Sequence, residues 1–456
     1  MKKLNKSMLE GPLLPSIISY TLPIILTSFL SLSFNTADMV IVGQFCGNLS
    51  LASVSAAGPP TNLIVTLFMG LSVGVSVSVA HAIGSKDTDD IEKTVHTALP
   101  LAVLIGLSLT IIGLFVSKPL LRMLNTPESA LPLSDIYLKI FFCGMTFNIL
   151  YNYCAAILRA AGDTKSPLIF LSISGFVNVG LNVLFVTIIK MDVAGVALAT
   201  VISQAVSAAL VIYVLSRRTD ACKIRLRKLR ISKPHLMKII RIGLPAGIQS
   251  SLFAISNTVI QSSVNSFGEI CMSGTAAAGS IDAYVYTSTS AFGQTAVNFV
   301  GQNYGAKQFD RIKKIFRLCA CCVLVVGIPL GILAYCFAPQ ILSMFISDSQ
   351  EAIAYGISRV AIVTTTYFIC GLLDVVSGSL RGLGASSVPM IVSVLGICGL
   401  RIAWISTVFQ IPEYHTLQFL FVCYPMSWVV TVLTEFVILL YIYKKKARDN
   451  ILSHSP

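Results

Sequence analysis

Long runs of apolar residues recur along the whole chain, and short polar stretches separate them. The runs are about 20 residues or longer, the length that an α-helix needs to cross the hydrocarbon core of a bilayer. Transmembrane β-strands would instead show short segments of alternating polarity. The pattern predicts an all-α integral membrane protein with twelve transmembrane helices, near residues 16–43, 52–80, 94–117, 134–158, 167–190, 193–216, 243–267, 272–300, 315–337, 353–380, 389–410 and 418–443.

The composition agrees with a membrane location. Of 456 residues, 55% are hydrophobic and 12% are charged, against about 25% charged residues in an ordinary soluble chain. The net charge of +13 could suggest nucleic-acid binding, but the positions of the charges argue against it. Lys and Arg fall mostly in alternate connections between the predicted helices: Lys2, Lys3 and Lys6; Lys86 and Lys93; Arg159 and Lys165; the stretch 217–241; Lys307, Arg311, Lys313 and Lys314; and the tail at 444–448.

This asymmetry orients the chain in the membrane. By the positive-inside rule, both termini and the long middle loop are predicted to be cytoplasmic. We interpret the basic stretch 217–241 as a topological signal in contact with anionic headgroups, and we expect no nucleic-acid partner.

The cysteines and histidines predict no cofactor. Twelve Cys are scattered, mostly within predicted helices and without a CxxC motif, so we expect packing residues and no disulfide framework. Cys319, Cys321 and Cys322 cluster near the inner end of the ninth span, where palmitoylation or metal binding is an alternative. The five His are too dispersed to predict a metal site.

Two segments with Leu-Arg, Gly and Pro at the same spacing indicate an internal repeat. Residues 158–170 read LRAAGDTKSPLIF and residues 380–392 read LRGLGASSVPMIV, so that Leu-Arg, Gly and Pro recur at a shift of 222 residues. About the same shift aligns Leu-Pro, Asn-Thr and Gly-x-Lys-x-x-Asp elsewhere in the chain. We interpret each segment as a short cytoplasmic turn, in which Gly permits the turn and Pro begins the next helix.

The repeat predicts two homologous lobes of six helices. Six is an even number, so both lobes enter the membrane in the same direction and form a parallel repeat around a central cavity. The predicted organisation is an N-terminal lobe at 1–216, a basic linker at 217–242, a C-terminal lobe at 243–443 and a cytoplasmic tail at 444–456. Such an arrangement suits alternating access.

Polar residues at membrane depth in the first half indicate a candidate ion site. Asp38 and Asn35 lie near the outer end of the first span, Asn178 and Asn182 share one face of the fifth, and Thr200 lies in the sixth. At 1.5 Å per residue, Asp38, Asn178, Asn182 and Thr200 lie about 9 to 18 Å below the outer surface. Their oxygens could bind Na⁺, and the carboxylate could instead take up a proton. Satisfied interhelical hydrogen bonding is the alternative.

The second half also carries charged residues at membrane depth. Asp282 lies near the middle of the eighth span, Asp374 close to the inner end of the tenth and Arg401 near the middle of the eleventh. An ion pair between Asp374 and Arg401 would neutralise both, and a substrate-binding role is the alternative. Glu435, near the inner end of the last span, is expected to snorkel to the interface.

The chain resembles the multidrug and toxic compound extrusion (MATE) transporters along nearly its full length. The order of the motifs over the two halves carries the resemblance: LP at 22–23, Asp38, VG at 42–43, LRAAGDTKSP at 158–167, NVGLN at 178–182, AGVALAT at 194–200, GLP at 243–245, GSLRGLG at 378–384 and RIAW at 401–404.

The resemblance implies an antiporter that expels organic cations or amphipathic compounds while Na⁺ or H⁺ enters, and not an enzyme. It also implies a bacterial cytoplasmic membrane, and we expect a monomer. The family's N-lobe cation site carries over to Asp38, Asn178, Asn182 and Thr200.

This sequence departs from the family pattern at three positions. Asn182 stands where many relatives have Asp, so the site carries one acid. The stretch QSSLFAISN in the seventh helix lacks the Glu of some relatives. Asp374 lies about one helical turn from the tenth-helix Asp of others.

Other functions remain as alternatives. A flippase for lipid-linked oligosaccharides or precursors would need several deep cations for its polyanionic substrate, and only Arg401 lies deep. A membrane-embedded enzyme would need a nucleophile with its base or facing metal ligands. A channel or a receptor would show no substrate flux coupled to an ion gradient.

Overall fold

The computed structural model describes residues 8–124, 126–346 and 349–452. These residues are almost entirely helical and contain no β-strand. The α-helices, in chain order, are α1 Leu13–Phe45, α2 Asn48–Ser85, α3 Thr88–Met123, α4 Leu131–Cys143, α5 Met145–Ala160, α6 Lys165–Val183, α7 Asp192–Arg217, α8 Lys233–Asn265, α9 Glu269–Gly305, α10 Phe309–Cys336, α11 Ala338–Phe345, α12 Gln350–Ile362, α13 Tyr367–Gly382, α14 Ser387–Ser393, α15 Leu400–Ser406 and α16 Leu417–Leu452. Lys2, Lys3 and Lys6 and the last residues of the predicted tail lie outside the described ranges.

The all-α membrane architecture is confirmed, and each predicted span coincides with a helix or a run of helices. By length and hydropathy, ten helical segments of the described chain can cross a membrane, and eleven if α4 and α5, bent by 45°, count as one span. The predicted number was twelve. The remaining long helix, α9, has 37 residues. Its many Ser, Thr, Asn and Gln residues lower its hydropathy, so composition alone does not identify it as a span.

The two repeated turns have the same backbone geometry. Gly162 and Gly384 take positive φ angles of 89° and 80°. The residue after each glycine donates its N–H to the carbonyl of the leucine five positions earlier, over 2.9 Å in both turns. This is the Schellman ending of a helix, in which only glycine takes the left-handed position without strain. The prediction of a glycine turn at each copy is confirmed.

The described chain divides into two compact units. One unit consists of residues 22–247, and the other consists of residues 8–21 and 248–452. The first turns of α8 therefore pack with the first unit. A Cβ atom built on Gly70 of α2 would lie 2.0 Å from the backbone nitrogen of Gly247 on α8, so only glycine permits this contact. The domain boundaries predicted from the repeat stay a prediction.

Candidate functional site

Four of the predicted site residues form one chain of hydrogen bonds across three helices of the first unit. Asn182 on α6 donates from Nδ2 to Oδ1 of Asp38 on α1 over 2.5 Å, and to Oδ1 of Asn178 over 3.3 Å. Asn178 donates in turn to Oγ1 of Thr200 on α7 over 3.4 Å. The structure thus brings together the carboxylate, two amides and one hydroxyl.

Close packing of α1 against α6 makes this contact available. A Cβ atom on Gly175 would lie 1.8 Å from Cε2 of Phe34, so the phenylalanine ring lies directly over the glycine backbone. Asp38 follows Phe34 by four residues, and Asn182 follows Gly175 by seven, which is one turn and two turns of helix. The Gly175–Phe34 contact therefore fixes the two helices where their polar residues meet.

The Asp38 carboxylate is not neutralised by a basic side chain. It is half-buried, and no ion pair within the described ranges includes it. Beside it, Asn182 is fully buried, and its Oδ1 atom has no hydrogen-bond partner. Buried acceptors in proteins normally have a hydrogen-bond partner. The free Asn182 Oδ1 atom beside the Asp38 carboxylate is therefore suited to bind a cation.

The oxygen ligands of this site fit a small monovalent cation better than a transition metal. No group of three or more His, Cys, Asp or Glu in the described chain could hold a metal ion. Asp38, Asn178 and Thr200 offer carboxylate, amide and hydroxyl oxygens, and Asn182 Oδ1 adds a fourth oxygen that the sequence did not single out as free. Asn35 is exposed and lies outside this chain of hydrogen bonds.

In the second unit, Asp282 has a partner that the sequence analysis missed. Arg359 on α12 donates from Nε to Asp282 Oδ2 over 2.8 Å, and Thr364 donates to the other carboxylate oxygen. The pair is buried, with the carboxylate side chain 5% exposed. Asp282 is therefore neutralised within its own unit. Arg359 lies in the last turn of α12, the first segment of the tenth span. A basic residue at this place in the sequence could have indicated a partner for Asp282.

The predicted ion pair between Asp374 and Arg401 is wrong. Arg401 instead donates from Nη1 to Asn257 Oδ1 over 2.9 Å and from Nε to Ser427 Oγ over 3.1 Å. Its guanidinium also lies 4.3 Å from the centre of the Tyr424 ring. The difference arises because Arg401 extends towards α8 and α16. Asp374, by contrast, packs its Cβ against Gly293 of α9.

Glu435 is fully buried, so its predicted snorkelling to the interface is also wrong. Its two carboxylate oxygens accept hydrogen bonds from Ser377 over 2.6 Å and from Ser393 over 2.8 Å. Gln249 donates to Ser393 over 2.9 Å and accepts from Arg381 Nη2 over 2.6 Å. The five side chains form a chain of four hydrogen bonds over four helices, and Arg381 Nε at its end is buried without a hydrogen-bond partner in the described chain. Serine is common at the interfaces of membrane helices, so Ser377 and Ser393 offered no signal for the network.

A family model, MatE, matches the chain twice, over residues 23–184 and over residues 245–405. Each match covers one half of the internal repeat. The probable multidrug resistance protein YoeA of Bacillus subtilis (strain 168) is 29% identical over 442 residues, which cover 95% of both chains. The FAD transporter of Shewanella oneidensis is 26% identical over 350 residues, covering 75% of this chain and 76% of that protein.

The solved structures agree with the sequence comparison on the fold. The outward-facing conformation of a multidrug resistance MATE family transporter of the MOP superfamily aligns with a TM-score of 0.91 and 20% identity, covering 98% of this chain and 100% of that one. At this identity the likeness concerns the fold alone. The two family matches together cover more than half of the sequence. The chain therefore belongs to the MatE family, that of the multidrug and toxic compound extrusion transporters.

Proposed function

We propose that this protein is a secondary active antiporter that exports organic cations or amphipathic drugs in exchange for Na⁺ or H⁺. The observation that carries the proposal is the Asp38 carboxylate, held by Asn182 in a chain of neutral side chains and left without a basic partner. An uncompensated acid at membrane depth is costly unless it binds a cation or a proton during function. The name of the Bacillus subtilis relative, a probable multidrug resistance protein, supports the drug-export part.

The mechanism that we infer uses Asp38 as the exchanging group. The free carboxylate accepts the hydrogen bond of Asn182, and this bond ties α1 to α6. Na⁺ entering the site would compete for the same carboxylate, with Asn178, Thr200 and the unused Asn182 Oδ1 as further ligands. Protonation would likewise remove the negative charge that the Asn182 amide stabilises. Either event weakens the tie between the two helices.

Ion binding is coupled to drug export if the hydrogen bond between Asn182 and Asp38 differs between the outward-open and inward-open forms. A ligand shifts such an equilibrium only by its differential affinity for the two states. The coupling ion and the drug must therefore favour opposite states, or compete for one of them. We further propose a cytoplasmic membrane location with both termini inside, a monomer and no cofactor beyond the coupling ion.

A second candidate function is transport of a substrate that carries an anionic group, including a lipid-linked precursor. The observation in its favour is Arg401, which is 3% exposed and is bound by neutral acceptors and an aromatic face instead of a carboxylate. Such a buried cation could attract a phosphate. The FAD transporter of Shewanella oneidensis shows by its name that a relative handles an anionic dinucleotide.

The test is efflux of a fluorescent lipophilic cation from proteoliposomes, with a Na⁺ gradient or a proton gradient imposed separately. Wild type is compared with Asp38→Asn and with the matched control Glu128→Gln, an exposed acid in the loop between α3 and α4. We expect one gradient to drive efflux, Asp38→Asn to abolish it and Glu128→Gln to leave it unchanged.

The result against the antiporter is efflux by Asp38→Asn equal to wild type, or no response to either gradient. Flux of FAD measured in the same vesicles tests the second candidate. Loss of FAD flux in Arg401→Gln, while cation flux is absent in wild type, would favour the anionic substrate.

A further inference from the structure

A cavity of about 350 Å³ lies in the first unit, where the loop between α7 and α8 covers the beginning of α3. We call residues 218–232 the basic loop. The cavity walls include Asp89, Glu92 and Lys93 from α3 and Arg227, Lys228 and Arg230 from the basic loop. None of these residues belongs to the candidate cation site, and the proposed antiport leaves the cavity without a role.

Hydrogen bonds hold the basic loop against α3. The backbone N–H of Arg225 donates to His96 Nε2 over 3.1 Å, and that of Ser232 donates to Thr97 Oγ1 over 3.2 Å. His96 Nδ1 lies 2.7 Å from the carbonyl oxygen of Glu92, so this nitrogen carries the ring proton and Nε2 is free to accept. The cavity is therefore formed before any ligand enters, which lowers the entropic cost of binding.

The charges around the cavity leave two arginines in excess. Both acids are already paired with lysines, since Lys93 Nζ contacts Asp89 and Lys228 Nζ lies 2.7 Å from Glu92. Arg227 and Arg230 are exposed and form no ion pair within the described chain, although the charge of Arg230 also acts on Asp89. Two planar guanidinium groups at the wall of a preformed cavity suit a phosphate, which arginine binds through paired hydrogen bonds.

The surroundings indicate that the phosphate belongs to a lipid. The basic loop joins the ends of α7 and α8, and α3, α7 and α8 are all long and apolar enough to cross a membrane. Leu226 is 75% exposed and Ile231 is 41% exposed, and both stand directly next to the two arginines in the sequence. Exposed apolar side chains among basic residues are typical of segments that lie at an anionic membrane surface.

We propose that this cavity binds the phosphodiester headgroup of an anionic phospholipid, with Arg227 and Arg230 as the contacting residues. Leu226 and Ile231 enter the interfacial region beside the bound lipid. The site fastens the basic loop to the inner membrane surface and is independent of the cation site at Asp38.

The test is equilibrium binding of a fluorescent short-chain phosphatidylglycerol to the full-length protein in neutral detergent, followed by anisotropy. Phosphatidylcholine with the same chains is the zwitterionic comparison. The variants are Arg227→Ala with Arg230→Ala, and the matched control Lys313→Ala with Lys314→Ala, which removes two exposed charges at the start of α10. Arg227→Lys with Arg230→Lys keeps the charge and removes the planar guanidinium groups, which bind phosphate through paired hydrogen bonds.

We expect the arginine-to-alanine pair to raise the Kd for phosphatidylglycerol about 25-fold, since each basic residue near an anionic surface contributes about fivefold. The lysine pair at α10 should change it less than about twofold, and the arginine-to-lysine pair should give an intermediate value. Equal loss in the α10 control, or equal affinity for phosphatidylcholine, would overturn the site. Displacement of the lipid by millimolar glycerol 1-phosphate would instead identify a soluble phosphate as the ligand and overturn the lipid assignment.

Discussion

Asp38 in the first unit and Glu435 in the second are both held by neutral side chains of neighbouring helices, yet their surroundings differ. Asp38 is half-buried, and its chain of hydrogen bonds ends at Thr200 without reaching a basic residue. Glu435 is fully buried, and its network ends at Arg381, so that a positive charge lies at the other end. One carboxylate is accessible and uncompensated, whereas the other is enclosed and compensated at a distance.

The difference separates a group that can exchange a ligand from a group that holds helices together. Exchange needs access and a charge that the protein itself does not neutralise. A carboxylate that holds helices together needs hydrogen bonds to both of its oxygens, as Glu435 has, because an unpaired buried polar group costs free energy. We therefore expect substitutions at Asp38 to change transport, and substitutions at Glu435 to change stability.

The largest expected effect is on transport, through Asp38→Asn. The amide keeps the shape of the side chain, but it takes up no proton and lacks the negative charge that attracts Na⁺, so ion-driven efflux should fall to the level of protein-free liposomes. The thermal unfolding midpoint in detergent should stay close to wild type, because the substitution removes a charge that had no basic partner. A strongly lowered midpoint would show instead that Asp38 has a structural role like that of Glu435.

The next effect is on stability, through the buried pair of Asp282 and Arg359. Arg359→Met leaves the carboxylate buried without its cation and should lower the free energy of unfolding by about 3–5 kcal/mol. Adding Asp282→Asn should restore most of the loss, because the uncompensated charge is then gone. Denaturant unfolding of the two variants measures this difference. Equal stability of the single and double variants would contradict a desolvated pair.

The sequence predicts the helices, the glycine turns and the cluster around Asp38, because each follows from residue type and position along the chain. The helices follow from apolar length, and the two glycine turns follow from the repeat. The proximity of Asp38, Asn178, Asn182 and Thr200 could be predicted because helical rise converts sequence position into depth. Their role in ion coupling stays a prediction.

The partners in the second unit could not be predicted in the same way. Depth alone does not say which face of a helix a charge occupies, and this is why Arg401 was assigned to Asp374 when Asn257 and Ser427 bind it. The interface prediction for Glu435 rests on its position near the inner end of the last span, and its two serine partners look like ordinary small residues of a membrane helix. Pairing across helices depends on rotation about the helix axis, which a single sequence does not reveal.

A smaller effect is expected within the Glu435 network. Glu435→Leu leaves the Ser377 and Ser393 hydroxyls without their acceptor and should cost about 1 kcal/mol for each of the two lost hydrogen bonds. Glu435→Gln can accept from one serine and donate to the other, so it should cost less. Both variants should keep ion-coupled efflux in the proteoliposome assay. Loss of coupling in Glu435→Gln, at wild-type stability, would remove the distinction between the two carboxylates.

The smallest effect should come from Asn35, which the sequence placed in the cation site and the structure leaves exposed. Asn35→Ala should change stability by less than about 0.5 kcal/mol, as exposed substitutions usually do, and should leave efflux unchanged. Its matched comparison is Asn178→Ala, which removes the acceptor of Asn182 and the donor to Thr200. Losing a hydrogen bond of about 1 kcal/mol corresponds to an about fivefold weaker response to the coupling ion. If Asn35→Ala weakened the response as much as Asn178→Ala, the site would have to extend along α1 beyond Asp38, and the hydrogen-bond chain would describe only part of it.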